Sequence, residues 1–277
     1  MTIVAVTAIA NWISIDSVES DDALVSEVTL WAGGFGILGL GTIKVAIAVV
    51  LIGIIKRLWV RVDSMRDAVP RLHPRPGAAD VSPVRRALVT SADIPRPLPI
   101  HAMATRMWRP MLLMGAMAVV IGAIVRAIAA GEGAGTESFR ETAAWGIGLE
   151  FLGEAMLLSG IAFLLGTILA SLRQGGAEVQ KAAGGEIRVL RMPATGKAFV
   201  ALTMTGLMVG VAQFIASVVL SGRADDVVGY GELTAFIGPL REFSLGLILA
   251  GIVLALVTIG NVLSFQFDRV RQLIRNN

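Results

Sequence analysis

The sequence predicts an all-α integral membrane protein with five transmembrane helices plus a short N-terminal outer-face helix, arranged as parallel hairpin repeats. Three observations carry that expectation. Of the 277 residues, 55% are apolar and only 16% charged, with a mean hydropathy of +0.74; soluble domains carry about one quarter charged residues. Five stretches are long and apolar enough to cross a hydrocarbon core of about 30 Å, which takes roughly 20 helical residues. The charges between those stretches separate by sign, as the two sides of a membrane require.

Residues 1–15, MTIVAVTAIANWISI, are apolar but lack the basic start of a secretion signal. As a helix rising about 1.5 Å per residue they reach only about 22 Å. They are therefore expected to dip into the outer face or lie flat on it. The five spans run approximately Leu30 to Ile55, Met111 to Ala130, Trp145 to Leu172, Ala198 to Ser221 and Phe243 to Phe267. Helices are the expected form, because lipid offers backbone polar groups no partners.

Segments 56–109, 173–197 and 268–277 hold 19 Lys and Arg against 7 acids, whereas 1–29, 131–144 and 222–242 hold 3 against 12. The positive-inside rule then places the N-terminus outside and the C-terminus in the cytoplasm of a bacterial-type plasma (inner) membrane. The basic pI of 9.8 is a topology signal, and no nucleic-acid partner is expected, since no basic module with stacking aromatics is readable. Between the first two spans, residues 70–99 carry seven of the ten prolines. Proline fixes φ and removes donors, so this stretch reads as a semi-rigid cytoplasmic linker with no core of its own.

Shifting the chain by 91 residues lays the second and third spans on the fourth and fifth without a gap. Fifteen of 62 positions are identical, among them Gly115/Gly206, Glu141/Glu232, Gly160/Gly251 and Thr167/Thr258. A shift of 114 lays the first span on the third through Trp31/Trp145, Gly34/Gly148, Leu38/Leu152 and Gly39/Gly153. The chain thus divides into a degenerate hairpin (1–69), the Arg/Pro-rich linker (70–109) and two hairpins (110–183 and 184–277). The repeats are parallel, a plan that suits a transporter or a scaffold equally.

Four ionisable residues stand within the spans. Glu150 and Glu154, four apart, share one helix face. Counted from the outer markers Trp31 and Trp145, Lys44 is 13 residues deep, Glu154 is 9 and Glu150 is 5. The offset of four between Lys44 and Glu154 is about 6 Å, which a lysine stem bridges by snorkelling. Arg126 and Glu150 each lie about five residues from an outer helix end. Lys44 is therefore expected to pair with Glu154, and Arg126 with Glu150, as buried ion pairs or as a proton- or ion-coupling element. Gln213 and Asn261 are expected to bond between helices. Gly33, Gly36 and Gly39, with the Gly206 and Gly210 pair, are expected to bring helices close.

The inventory excludes much chemistry. There is no cysteine, and the two histidines, His73 and His101, lie outside the apolar stretches, so thiol catalysis and a membrane-buried bis-histidine haem are excluded. No HExxH, GxSxG or Walker pattern occurs. No catalytic residue, metal or cofactor is expected. The expected partners are the lipid bilayer and other membrane subunits or a second copy of this chain, in a non-enzymatic scaffold; a small transporter using Lys44 and Glu154 is the alternative.

Overall fold

The computed structural model describes residues 41–42, 44–45, 47–49, 51–53, 55–56, 87–90, 98–133, 135–182 and 186–275. These are almost entirely helical. Four helices are long and apolar enough to cross a membrane: α1 (Pro99–Ala130), α2 (Glu137–Ala182), α3 (Ala194–Ser221) and α4 (Val227–Arg275). They contain the second to fifth expected spans. The described residues between 41 and 56, within the first expected span, are helical too. The N-terminal stretch 1–15, Gly33, Gly36 and Gly39 lie outside the described residues, as does most of the proline-rich linker.

The helices extend well past their apolar cores because local signals set their ends. α1 starts at Pro99, where a fixed φ and a missing N–H cost a first helical turn nothing. Gly133 and Gly135 take φ of +83° and +84° in the turn after α1, a backbone region open to glycine. Thr136 Oγ1 then accepts from Phe139 N at 3.1 Å and caps α2, whose first turn carries Glu137. Asp226 Oδ1 caps α4 by accepting from Gly229 N at 3.0 Å. α4 therefore begins 16 residues before the apolar run at Phe243 and continues through Pro239.

Two short strands stand beside the helices. β1 (Ala87–Thr90) pairs antiparallel with β2 (Ile187–Leu190), in the register Ala87↔Leu190, Leu88↔Val189, Val89↔Arg188, Thr90↔Ile187. The linker thus contains a structured element where none was expected. ALVT and IRVL are each only four residues long and rich in β-branched or aliphatic side chains. So short a run carries little periodicity, and proline-rich surroundings hid β1.

The described residues fall into two compact units. The first draws on Arg109–Ile161, Leu202–Leu249 and described residues up to Ile47. Its helices meet through glycine. A Cβ added at Gly115 would lie 2.9 Å from Gly153 O, and one at Gly153 would lie 2.7 Å from Gly115 O. Gly122 and Gly146 repeat the arrangement seven residues along each helix, at 2.8 and 3.1 Å from each other's carbonyl oxygens. This heptad seam lets the α1 and α2 backbones touch, the contact that dispersion favours where lipid supplies no hydrophobic drive. On the α3 side of α2, Gly148 meets Ser217 and Gly210 meets Ala155; Gly206 meets Ile248 and Ser244 of α4. Val119 and Leu157 form one apolar cluster, and Ala144, Leu220 and Ile237 another.

The second unit comprises the described residues of Ala48–Trp108, Ala162–Ala201 and Ala250–Asn277. Ile55, Leu164, Leu165, Ile168, Leu172, Phe199 and Ala255 form its core, with Trp108 packed against it. Gln180 on α2 donates to Arg188 O at 2.9 Å and accepts from Arg188 N at 2.8 Å, tying β2 to the helix. Arg269 on α4, almost fully buried, donates to Glu186 O at 3.0 Å.

Candidate functional site: a buried ionic joint on α2

Every charged group of the site belongs to the first unit. Glu154 is wholly buried, and both its oxygens are occupied. Lys44 Nζ donates to Oε1 at 2.5 Å. Arg241 of α4 donates to Oε2 through Nε at 3.0 Å and Nη2 at 2.7 Å. The Arg241 guanidinium also lies 4.5 Å from the centroid of the Phe151 ring, a cation–π contact that covers one face of the plane. Its Nη1 reaches Glu242 Oε1 at 3.1 Å. One turn from Glu154 on α2, Glu150 is also wholly buried, and Arg126 Nη1 of α1 donates to its Oε2 at 2.8 Å.

Glycine makes room for the second pair. A Cβ at Gly122 would lie 2.7 Å from Glu150 Cγ, and one at Gly146 would lie 2.5 Å from Arg126 Cγ. Each charged stem occupies the volume that a side chain on the facing helix would take. The charges also balance: Lys44, Arg126 and Arg241 supply three positives, and Glu150, Glu154 and Glu242 supply three negatives. Neutrality matters in an apolar surrounding, since an unpaired ion costs several kcal/mol after relaxation.

The structure therefore brings Lys44 to Glu154 and Arg126 to Glu150, and adds Arg241, which sequence reasoning left in the loop before the fifth span. A signal was present, because the shift of 91 aligns Arg241 with Glu150, charge upon charge. It was unreadable as a contact while the helix was taken to start at Phe243. The heptad glycines 115, 122, 146, 153 and 160 were likewise in the sequence and not singled out.

Other expected contacts differ. Gln213 is buried, but its Nε2 has no hydrogen-bond partner among the described residues. Asn261 lies on the exposed side of α4. Among uncharged side chains, Ser244 Oγ does cross between helices, donating to Gly206 O at 2.8 Å, and in the second unit the Thr258 and Thr195 hydroxyls lie 2.9 Å apart. Glu150 Oε1, Ser159 Oγ and Thr203 Oγ1 are likewise buried without a hydrogen-bond partner among the described residues. No group of His, Asp and Glu among the described residues is arranged to hold a metal ion.

Fold and site together define a helical protein with four helices of membrane-crossing length and apolarity, in which buried carboxylates of α2 pair with cations of α1 and α4. Compared with protein-family models, curated proteins and solved structures, the chain matches none.

Proposed function

We propose that this chain is a non-enzymatic helical subunit of a bacterial-type inner membrane that anchors or scaffolds a larger membrane complex, with its N-terminus outside and its C-terminus in the cytoplasm. The observation that carries this reading is Glu154, whose two oxygens are both taken by cations from other helical segments. A carboxylate that must load and release an ion needs an open oxygen and a path to water, and Glu154 has neither an unoccupied oxygen nor exposed surface. Held this way it works as a joint between helices. The sign separation of the loops supports the orientation, and the Arg/Pro-rich linker supplies a surface for another subunit. Native mass spectrometry after solubilisation in mild detergent tests the reading. A co-purifying chain or a defined oligomer is expected; a bare monomer overturns it.

A second reading, a small secondary transporter or ion-conducting protein, draws support from the polar atoms inside the first unit that lack partners, Glu150 Oε1 and Gln213 Nε2 above all. Water or an ion would satisfy them. Proton or solute flux in reconstituted vesicles, lost in Glu150→Gln and Glu154→Gln, would establish this reading against the scaffold.

A further inference from the structure

Among the described residues of the second unit, one cation has no counter-charge. Arg173 is only partly exposed, and its Nε is sealed from solvent without a hydrogen-bond partner. No acidic side chain forms an ion pair with it among the described residues. Burial first, and the charge of Arg173 second, hold the imidazole of His101 on α1 below its ordinary pKa, which favours the neutral ring. The surroundings locate this spot at an interface. Arg173 directly follows the apolar run Trp145 to Leu172, and Leu172 O is held by Gln266 Nε2 of α4. Trp108 packs against the same core, an amphipathic ring suited to head-group depth.

A sealed guanidinium N–H without an acceptor is costly unless a group outside the described residues accepts from it. At the rim of an apolar bundle the abundant acceptor is a phosphate oxygen, which the guanidinium fork matches in charge and shape. We propose that Arg173 seats the phosphate ester of an anionic phospholipid head group at the cytoplasmic leaflet. The inference rests on the topology proposed above, in which this end of α2 faces the cytoplasm. Basic pockets between membrane helices on that side bind such head groups.

The test is native mass spectrometry of the full chain in mild detergent, titrated separately with phosphatidylglycerol, phosphatidylcholine and inorganic phosphate. Phosphatidylglycerol is expected to be retained about fivefold more than phosphatidylcholine, the factor that one basic residue near a membrane surface supplies. Arg173→Gln should abolish that preference, while Arg223→Gln, an exposed change in the α3–α4 turn, should keep it. Equal retention of the two lipids, or an unchanged preference in Arg173→Gln, overturns the proposal. Binding of inorganic phosphate that displaces the lipid would assign the site to a free anion and overturn the lipid. If Arg173→Gln fails to elute as a folded species, His101→Glu serves instead. It supplies an internal carboxylate to Arg173 and should abolish the preference at unchanged elution; an unchanged preference again overturns the proposal. Topology is read independently by labelling Asn277→Cys, clean because the chain has no cysteine. Labelling from the outside would overturn the orientation whatever the lipid result.

Discussion

α2 and α4 are both long, both apolar enough to cross a membrane, and aligned with each other by the 91-residue shift, yet they live in different surroundings. In the most apolar 18-residue window of each, 94% of α2 is buried against 28% of α4. Gly146, Gly148, Gly153 and Gly160 of α2 each press on a neighbouring helix, whereas a Cβ at Gly246 or Gly260 of α4 would meet nothing within 4 Å. α2 carries the two buried carboxylates; α4 presents Phe243, Leu249, Val253 and Leu256 outward. The difference teaches that in a membrane bundle apolarity does not mark the interior. Lipid-facing and protein-facing surfaces are equally oily, and the interior is recognised by what lipid would reject, namely charge and exposed backbone.

If that contrast is right, removing one charge from α2 should have the largest effect. Glu154→Gln takes the carboxylate from Lys44 and leaves Arg241 with Glu242 alone, and should cost about 3–5 kcal/mol of stability, read as a lower unfolding midpoint in detergent. Adding Lys44→Met should recover part of that loss, because Arg241 retains Glu242. A single variant as stable as the parent would break the comparison. Next in size, Gly153→Ala drives a methyl to 2.7 Å of both Gly115 O and Val119 N. It should destabilise by about 1–3 kcal/mol as an overpacked contact, measured the same way. The smallest change has the opposite sign. Gly260→Ala on α4 meets open space and should stabilise by up to about 1 kcal/mol through helix propensity. A loss of similar size at both glycines would mean that α4 is covered by a partner, which sharpens the scaffold reading.

How much of the site was legible depends on what each residue announces about itself. Lys44, Glu150, Glu154 and Arg126 stand out because a charge in an apolar run is an energetic anomaly wherever it points. Counting residues from tryptophan markers then converts sequence position into depth, since a helix rises uniformly. Arg241 was illegible for the converse reason: it stands next to Gly238, Pro239 and Glu242, which read as a loop, and only the Asp226 cap and the passage of α4 through Pro239 make it helical and turn it toward Glu154. Gln213 and Asn261 read alike as polar residues in spans, but one is buried and the other exposed. Neither side chain is polar enough to dictate the rotation of its helix. The strand pair was hidden because β1 and β2 lie about a hundred residues apart, and four-residue strands exist only by pairing.

The sequence by itself determined the class of protein, the stretches able to cross a membrane, the sign of each loop and the identity of four ions that must find partners. Each of these follows from one-dimensional quantities: length against bilayer thickness, and the cost of charge in oil. The tertiary structure alone decided that α2 is the shielded helix, that glycines at heptad spacing bring α1 against it, and that Arg241 completes the neutral cluster. Those facts depend on helix rotation and contact, which a chain of uniformly apolar residues does not encode until the backbones meet.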